Sequence, residues 1–141
     1  MSQQITIIDY GMGNLWSVQS AVRYLGYNPV ESSNPSEIAK ADVLILPGVG
    51  SFHKAMTALK NSRLDEAILE AVKIRERKII GICLGMQLLS MHSKEDGDNI
   101  GLRLIPTEVE RFDIDIIGNL KVPHIGFNEV ISQDQSTLFK N

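Results

Sequence analysis

Apolar residues along the chain fall into two alternating patterns, short unbroken runs and stretches with helical spacing. Ile5 to Ile8 is a run of the first kind and reads as a buried strand. Gly11 to Asn14 follows as a turn, and Leu15, Val18, Val22 and Leu25 then recur at helical spacing until Gly26 offers a C-terminal stop. Asn28 to Glu31 predicts a weaker second strand, and Asn34-Pro35-Ser36 the cap and first turn of a short helix ending near Lys40. Val43 to Leu46 is a third, more apolar strand that runs into Pro47-Gly48-Val49-Gly50-Ser51. Beyond it, Ala55, Met56 and Leu59 mark one helix, and Leu64, Ile68, Ala71 and Val72 a second. Lys78 to Ile82 is a fourth strand, followed by a helical stretch carrying Leu84, Leu88, Leu89 and Met91. Strands that alternate with helices predict a parallel sheet covered by helices on both faces.

After residue 93 the texture changes. Ser93 to Asn99 is polar and reads as a loop, while Thr107 to Phe112 and Lys121 to Ile131 alternate as sheet-edge strands or hairpins. Asp113 and Asp115 fall on one face of such a strand, and their alternation with Ile114 and Ile116 favours a solvated face over a metal site. Ser136 to Asn141 reads as the start of an element, so the chain is expected to be incomplete. The 141 residues carry 14 basic and 17 acidic side chains, a net charge of -3, with 43% apolar residues. That balance suits a single domain over residues 1–141, and it excludes a disordered chain and a dedicated nucleic-acid binder. No signal peptide or bilayer-spanning run is visible, and a lone cysteine excludes an internal disulfide and a cysteine-based zinc site. The expectation is a cytoplasmic protein with no membrane contact.

That cysteine, Cys83, lies in Gly81-Ile82-Cys83-Leu84-Gly85, between a buried strand and an amphipathic helix. Small neighbours permit a tight strand-to-helix turn, which lifts the sulfur from the sheet, sets it at a helix N-terminus that favours thiolate, and aims the Leu84 N–H at a developing oxyanion. A buried structural cysteine is the commoner fate of a lone thiol. The two glycines at a strand–helix junction favour the nucleophile. Pro47-Gly48-Val49-Gly50 leaves a neighbouring strand at the same sheet edge and reads as the second half of an oxyanion hole, or alternatively as a simple turn. Gly11-Met12-Gly13-Asn14-Leu15-Trp16 resembles a dinucleotide fingerprint, but Trp16 occupies the third glycine position, and a turn capped by Asn14 is preferred. His53, His92 and His124 read as surface or structural residues, and Lys73, Arg75, Arg77 and Lys78 as a solvated helix end.

Four segments together resemble a known family: residues 8–14, Leu46 to Phe52, Gly81 to Leu89, and Val122-Pro123-His124-Ile125-Gly126-Phe127-Asn128. They are similar to the glutaminase subunit of imidazole glycerol phosphate synthase, a class I, triad-type glutamine amidotransferase. The resemblance implies a flavodoxin-like three-layer α/β fold, incomplete at its C-terminus, and hydrolysis of glutamine without a metal or other cofactor. It makes Cys83 the nucleophile and assigns the oxyanion to the N–H of Leu84 and an N–H of the segment containing Val49 and Gly50. It also makes Gly48 and Gln87 substrate-binding residues. Ammonia would pass to a TIM-barrel cyclase partner faced by Asn14, Ile125, Phe127 and Asn128. The family's catalytic His-Pro-Glu motif has no counterpart in these residues, nor does a nearby His-Ser-Tyr segment, and Phe127 and Trp16 depart from the family pattern. Two alternatives follow: a glutaminase serving another synthase, such as one acting on bacterial surface sugars, or a non-catalytic partner-binding remnant.

Overall fold

The computed structural model describes residues 4–118, 126–129 and 131. The chain divides into two compact units, Met1–Arg111 and Phe112–Asn141.

In the first unit, four strands, β1 (Ile5–Ile8), β2 (Val30–Ser32), β3 (Val43–Leu46) and β4 (Lys78–Gly81), form a wholly parallel sheet in the order β2-β1-β3-β4. That order is the flavodoxin-like arrangement, with its switch point between β1 and β3. Because side chains alternate across a strand, the sheet builds a core on each face. Ile8, Leu44 and Leu46 point to the larger core. There they meet Phe52, Met56 and Leu59 of α3 (Phe52–Asn61), Leu64 and Ile68 of α4 (Leu64–Leu69), and Leu84 and Leu88 of α5 (Leu84–Leu88). Ile7 and Ile45 point the other way, to Val22 of α1 (Leu15–Tyr24). The three-layer sandwich expected from the sequence is present. The cover is uneven, however: Ile80 is in register with Ile45 on the α1 face but is 55% exposed, and the apolar cluster around Val22 takes in Ile7 and Ile45 but no described residue of β4.

Local chemistry sets the helix boundaries. Asn14 starts α1 by accepting from the Ser17 N–H at 3.1 Å, and Asn34 does the same for α2 (Pro35–Ile38) from Ser36 at 3.0 Å. The helix expected across Leu64 to Val72 changes pitch at Glu70, where α4 gives way to a π-helical turn, Glu70–Ile74. The helix after Cys83 is shorter than its apolar spacing suggests. It stops at Leu88, and the amides of Leu102 and Leu104 then take the carbonyls of Leu88 and Leu89, each at 2.8 Å.

Two sequence readings need correction past residue 91. The segment read as a loop is closed at both ends by pairing, since β5 (His92–Ser93) lies antiparallel to β6 (Asn99–Ile100) and parallel to β7 (Glu108–Val109). In the second unit, Asp113 and Asp115 are not on a strand. Ile114–Ile117 is a short helix, α6, because the Asp113 carboxylate accepts from the Asp115 amide at 2.9 Å and its carbonyl from the Ile116 amide at 3.1 Å. An aspartate that captures the following amides starts a helical turn more effectively than isoleucine's β preference prevents it. Of the strand expected over Lys121 to Ile131, residues 121–125 and 130 lie outside the described residues, and Gly126 to Glu129 and Ile131 are not in a strand.

Candidate active site

Three loops leave the C-terminal ends of β1, β3 and β4 and meet at one edge of the sheet. The β4 loop holds Cys83 with φ 55° and ψ -116°, a backbone state costly for any side-chain-bearing residue. Its carbonyl nonetheless starts α5, accepting from the amides of Met86 at 3.0 Å and Gln87 at 3.3 Å. The turn therefore projects the thiol away from the sheet, and Cys83 is exposed, which overturns the alternative of a buried structural cysteine. We expect Cys83→Gly, which relieves the positive φ, to raise stability by about 1 kcal/mol in denaturant titrations although it deletes the only thiol.

The β3 loop packs directly on this turn. A methyl group on Gly48 would stand 2.8 Å from the Gly85 nitrogen and 3.0 Å from the Leu84 Cβ, so only glycine permits the approach. Gly48 is buried, whereas Val49 and Gly50 are exposed, and Gly50 has φ +96°. The amides of Leu84, Val49 and Gly50 have no hydrogen-bond partner among the described residues. Donors left free beside an exposed thiol are what an oxyanion requires. Gln87 is half-buried one helical turn beyond Cys83, on the same side of α5. The β1 loop backs the arrangement, with Gly13 against the Pro47 ring and Met12 against Gly50.

Two residues that sequence reasoning passed over brace the β3 loop. Tyr10, 7% exposed, donates its hydroxyl to the Pro47 carbonyl at 2.9 Å. The signal was present in the period of two, which places Tyr10 on the same side as Ile8. Glu95, in the β5–β6 turn, accepts from the Phe52 amide at 3.4 Å and brings a carboxylate to the start of α3, which Ser51 caps through the Lys54 amide. A separation of 43 residues left no local signal for it.

Burial pushes the Tyr10 phenol from 10.0 up to about 12. An acid whose pKa rises on folding contributes stability that is complete below pH 10 and is lost as pH rises through about 12. Denaturant midpoints should therefore fall across that window, and the fall should be shallower in Tyr10→Phe than in the parent.

Of the three histidines, His53 is exposed and bonds through Nδ1 to the Asn99 amide oxygen at 2.6 Å. His92 places Nε2 3.0 Å from Glu108 Oε1 across the β5–β7 pair, and its Nδ1 is buried without a hydrogen bond. His124 and Ile125 lie outside the described residues. Asn14 is exposed at the start of α1; in the second unit Phe127 and Asn128 are exposed. Among the described residues no group of three His, Cys, Asp or Glu side chains could hold a metal ion, and no helix is long and apolar enough to cross a membrane.

A parallel α/β sheet that carries a cysteine elbow beside a glycine loop defines a class, and comparison with known proteins agrees: residues 6–141 match the model of the class-I glutamine amidotransferases, and the chain belongs to that family. The imidazole glycerol phosphate synthase subunit HisH 1 of Parasynechococcus marenigrum is 41% identical over 138 residues, covering 98% of this chain and 66% of that protein. The subunits HisH of Carboxydothermus hydrogenoformans and Moorella thermoacetica are 46% and 49% identical over 136 and 137 residues, each match covering 96% of this chain and 66% and 62% of those proteins. The chain thus spans just under two-thirds of the length of these relatives. A solved glutamine amidotransferase structure superimposes with a TM-score of 0.65 at 18% identity, over 75% of this chain and 56% of that one, which shows the shared fold.

Proposed function

We propose that this chain carries the nucleophile and oxyanion half of a glutaminase that supplies ammonia to a cyclase making imidazole glycerol phosphate in histidine biosynthesis. The observation that carries the reading is the exposed Cys83, held at φ 55° beside the unpaired Leu84 amide and the Gly48–Gly50 loop. Gln87 and Gly48 seat the glutamine. The Cys83 thiolate attacks the side-chain amide carbon, and the carbonyl oxygen takes up the electron pair against the N–H of Leu84 and of Val49 or Gly50. Collapse of this adduct breaks the C–N bond, and the departing nitrogen leaves as ammonia once it gains a proton. The γ-glutamyl thioester then takes up water, releasing glutamate and restoring the thiol. No cofactor enters either step. The relatives' names, each a subunit of imidazole glycerol phosphate synthase, support a partner subunit, read here as the cyclase, and Asn14, Ile125, Phe127 and Asn128 are the residues proposed to face it in a cytoplasmic heterodimer.

Covalent labelling tests the nucleophile. A small general alkylator should modify Cys83 in the folded chain, and faster than a glutamine-mimicking electrophile does. Resistance of Cys83 to both reagents would remove the elbow from consideration.

A further inference from the structure

We propose that Tyr10 is a positioning residue: its hydroxyl fixes the Pro47–Gly48 peptide plane and thereby the direction in which the Gly48–Gly50 loop presents its amides. The inference rests on the reading of that loop as half of the oxyanion site.

Two successive carbonyls at the end of β3 are held by different neighbours. Leu46 O accepts from the Ile82 amide at 3.0 Å, and Pro47 O from the Tyr10 hydroxyl at 2.9 Å. The first bond extends the sheet towards the cysteine turn; the second comes from the β1 side. Because a peptide unit is planar, a carbonyl held at its oxygen also fixes the opposed N–H, here that of Gly48. The residues that follow cannot supply this restraint themselves, since two of the three are glycine. Tyr10 is itself firmly rooted. It sits in the larger core with Ile8, and the preceding Asp9 amide bonds to Ser32 O at 2.9 Å. There is no slack between ring and loop, because a Cβ on Gly48 would stand 2.7 Å from the Tyr10 hydroxyl. A phenol pushed up to about 12 stays protonated, and so remains a donor, throughout the physiological range.

Tyr10→Phe removes the hydroxyl and keeps the ring, and NMR of the isotope-labelled chain reads the consequence. In the variant the Pro47 carbonyl carbon should move upfield and the Gly48 and Val49 amides should broaden or split. Population of a second loop orientation should rise about threefold to tenfold, the weight of one hydrogen bond. The amides of Leu44 and Ile45 should not move. Pro47 and Gly48 signals that superimpose on the parent's would overturn the proposal, and so would a shift spread evenly through β3, which marks a packing role alone. If Tyr10→Phe does not fold, the parent decides: a slowly exchanging Tyr10 hydroxyl proton with a cross-peak to the Gly48 Hα is expected, and its absence counts against the proposal. In a glutamine-hydrolysing assembly that contains this chain, Tyr10→Phe should lower kcat/KM by a similar factor. Inactivity of the parent there would remove the glutaminase reading, while the loop signals continue to decide the role of Tyr10.

Discussion

Cys83→Ala should lower ammonia release by a glutamine-hydrolysing assembly by on the order of 10⁶-fold, the scale on which a nucleophile acts when it works as a unit with its base. Alanine keeps the turn and the free Leu84 amide but leaves no atom to attack the amide carbon. Substrate affinity, measured as glutamine binding, should change little, because Gly48 and Gln87, the residues proposed to seat glutamine, remain. The same chemistry sets the expectation for the 141-residue polypeptide assayed alone. Its sequence contains no His-Pro-Glu, so the thiol must ionise unaided and no positioned acid protonates the departing nitrogen, steps for which such a group typically supplies about 10²–10⁴-fold. Ammonia release by the polypeptide alone should be negligible, even with a cyclase present. A segment bearing that motif should restore it. Robust turnover by the chain alone that vanishes in Cys83→Ala would sink this expectation and direct attention to His53, His92 and His124.

The largest effect on stability is expected at Gly85. A Cβ built there would lie inside van der Waals contact with the Leu46 carbonyl oxygen and 3.2 Å from the Pro47 carbonyl carbon, all of it backbone. Neither neighbour can yield. Leu46 O is committed to the Ile82 amide at 3.0 Å, and Pro47 O to Tyr10 at 2.9 Å. Gly85→Ala should therefore cost about 3 kcal/mol or more, at or beyond the upper end of ordinary overpacking, and Gly85→Val should prevent folding. Gly81→Val should also destabilise, since a Cβ there meets the Met86 nitrogen at 2.6 Å. Equilibrium unfolding checks both. A midpoint for Gly85→Ala equal to the parent's would show that α5 does not approach β3 as described. Gly85 thus links fold to function, because the contact that forbids a side chain also holds the Leu84 amide beside the Gly48–Gly50 loop.

The sequence by itself determined the parts whose causes are local. β1 and β3 were legible because a strand buried on both faces is largely apolar, β4 because Ile79 and Ile80 form a short apolar run ahead of Gly81 although one face stays open, and α1 and α2 because Asn14 and Asn34 are caps whose partners lie two or three residues away. The cysteine turn was legible for a similar reason, since glycines on both sides of a residue at a strand–helix junction announce a tight bend. What lay beyond the reach of pattern was decided by contacts between segments distant along the chain. Tyr10 braces Pro47 and Glu95 reaches Phe52 from 37 and 43 residues away. The pairing of His92 with Ile100 and Glu108 closes the polar loop at its ends and adds a small sheet there, while Lys94 to Asp98 remain a turn. At Asp113 a capping aspartate overrode the alternation that suggested a strand. Ile80 repeats the strand pattern of Ile45 yet remains exposed, because whether a face is covered depends on which helix crosses it, and that is a property of packing that no periodicity records.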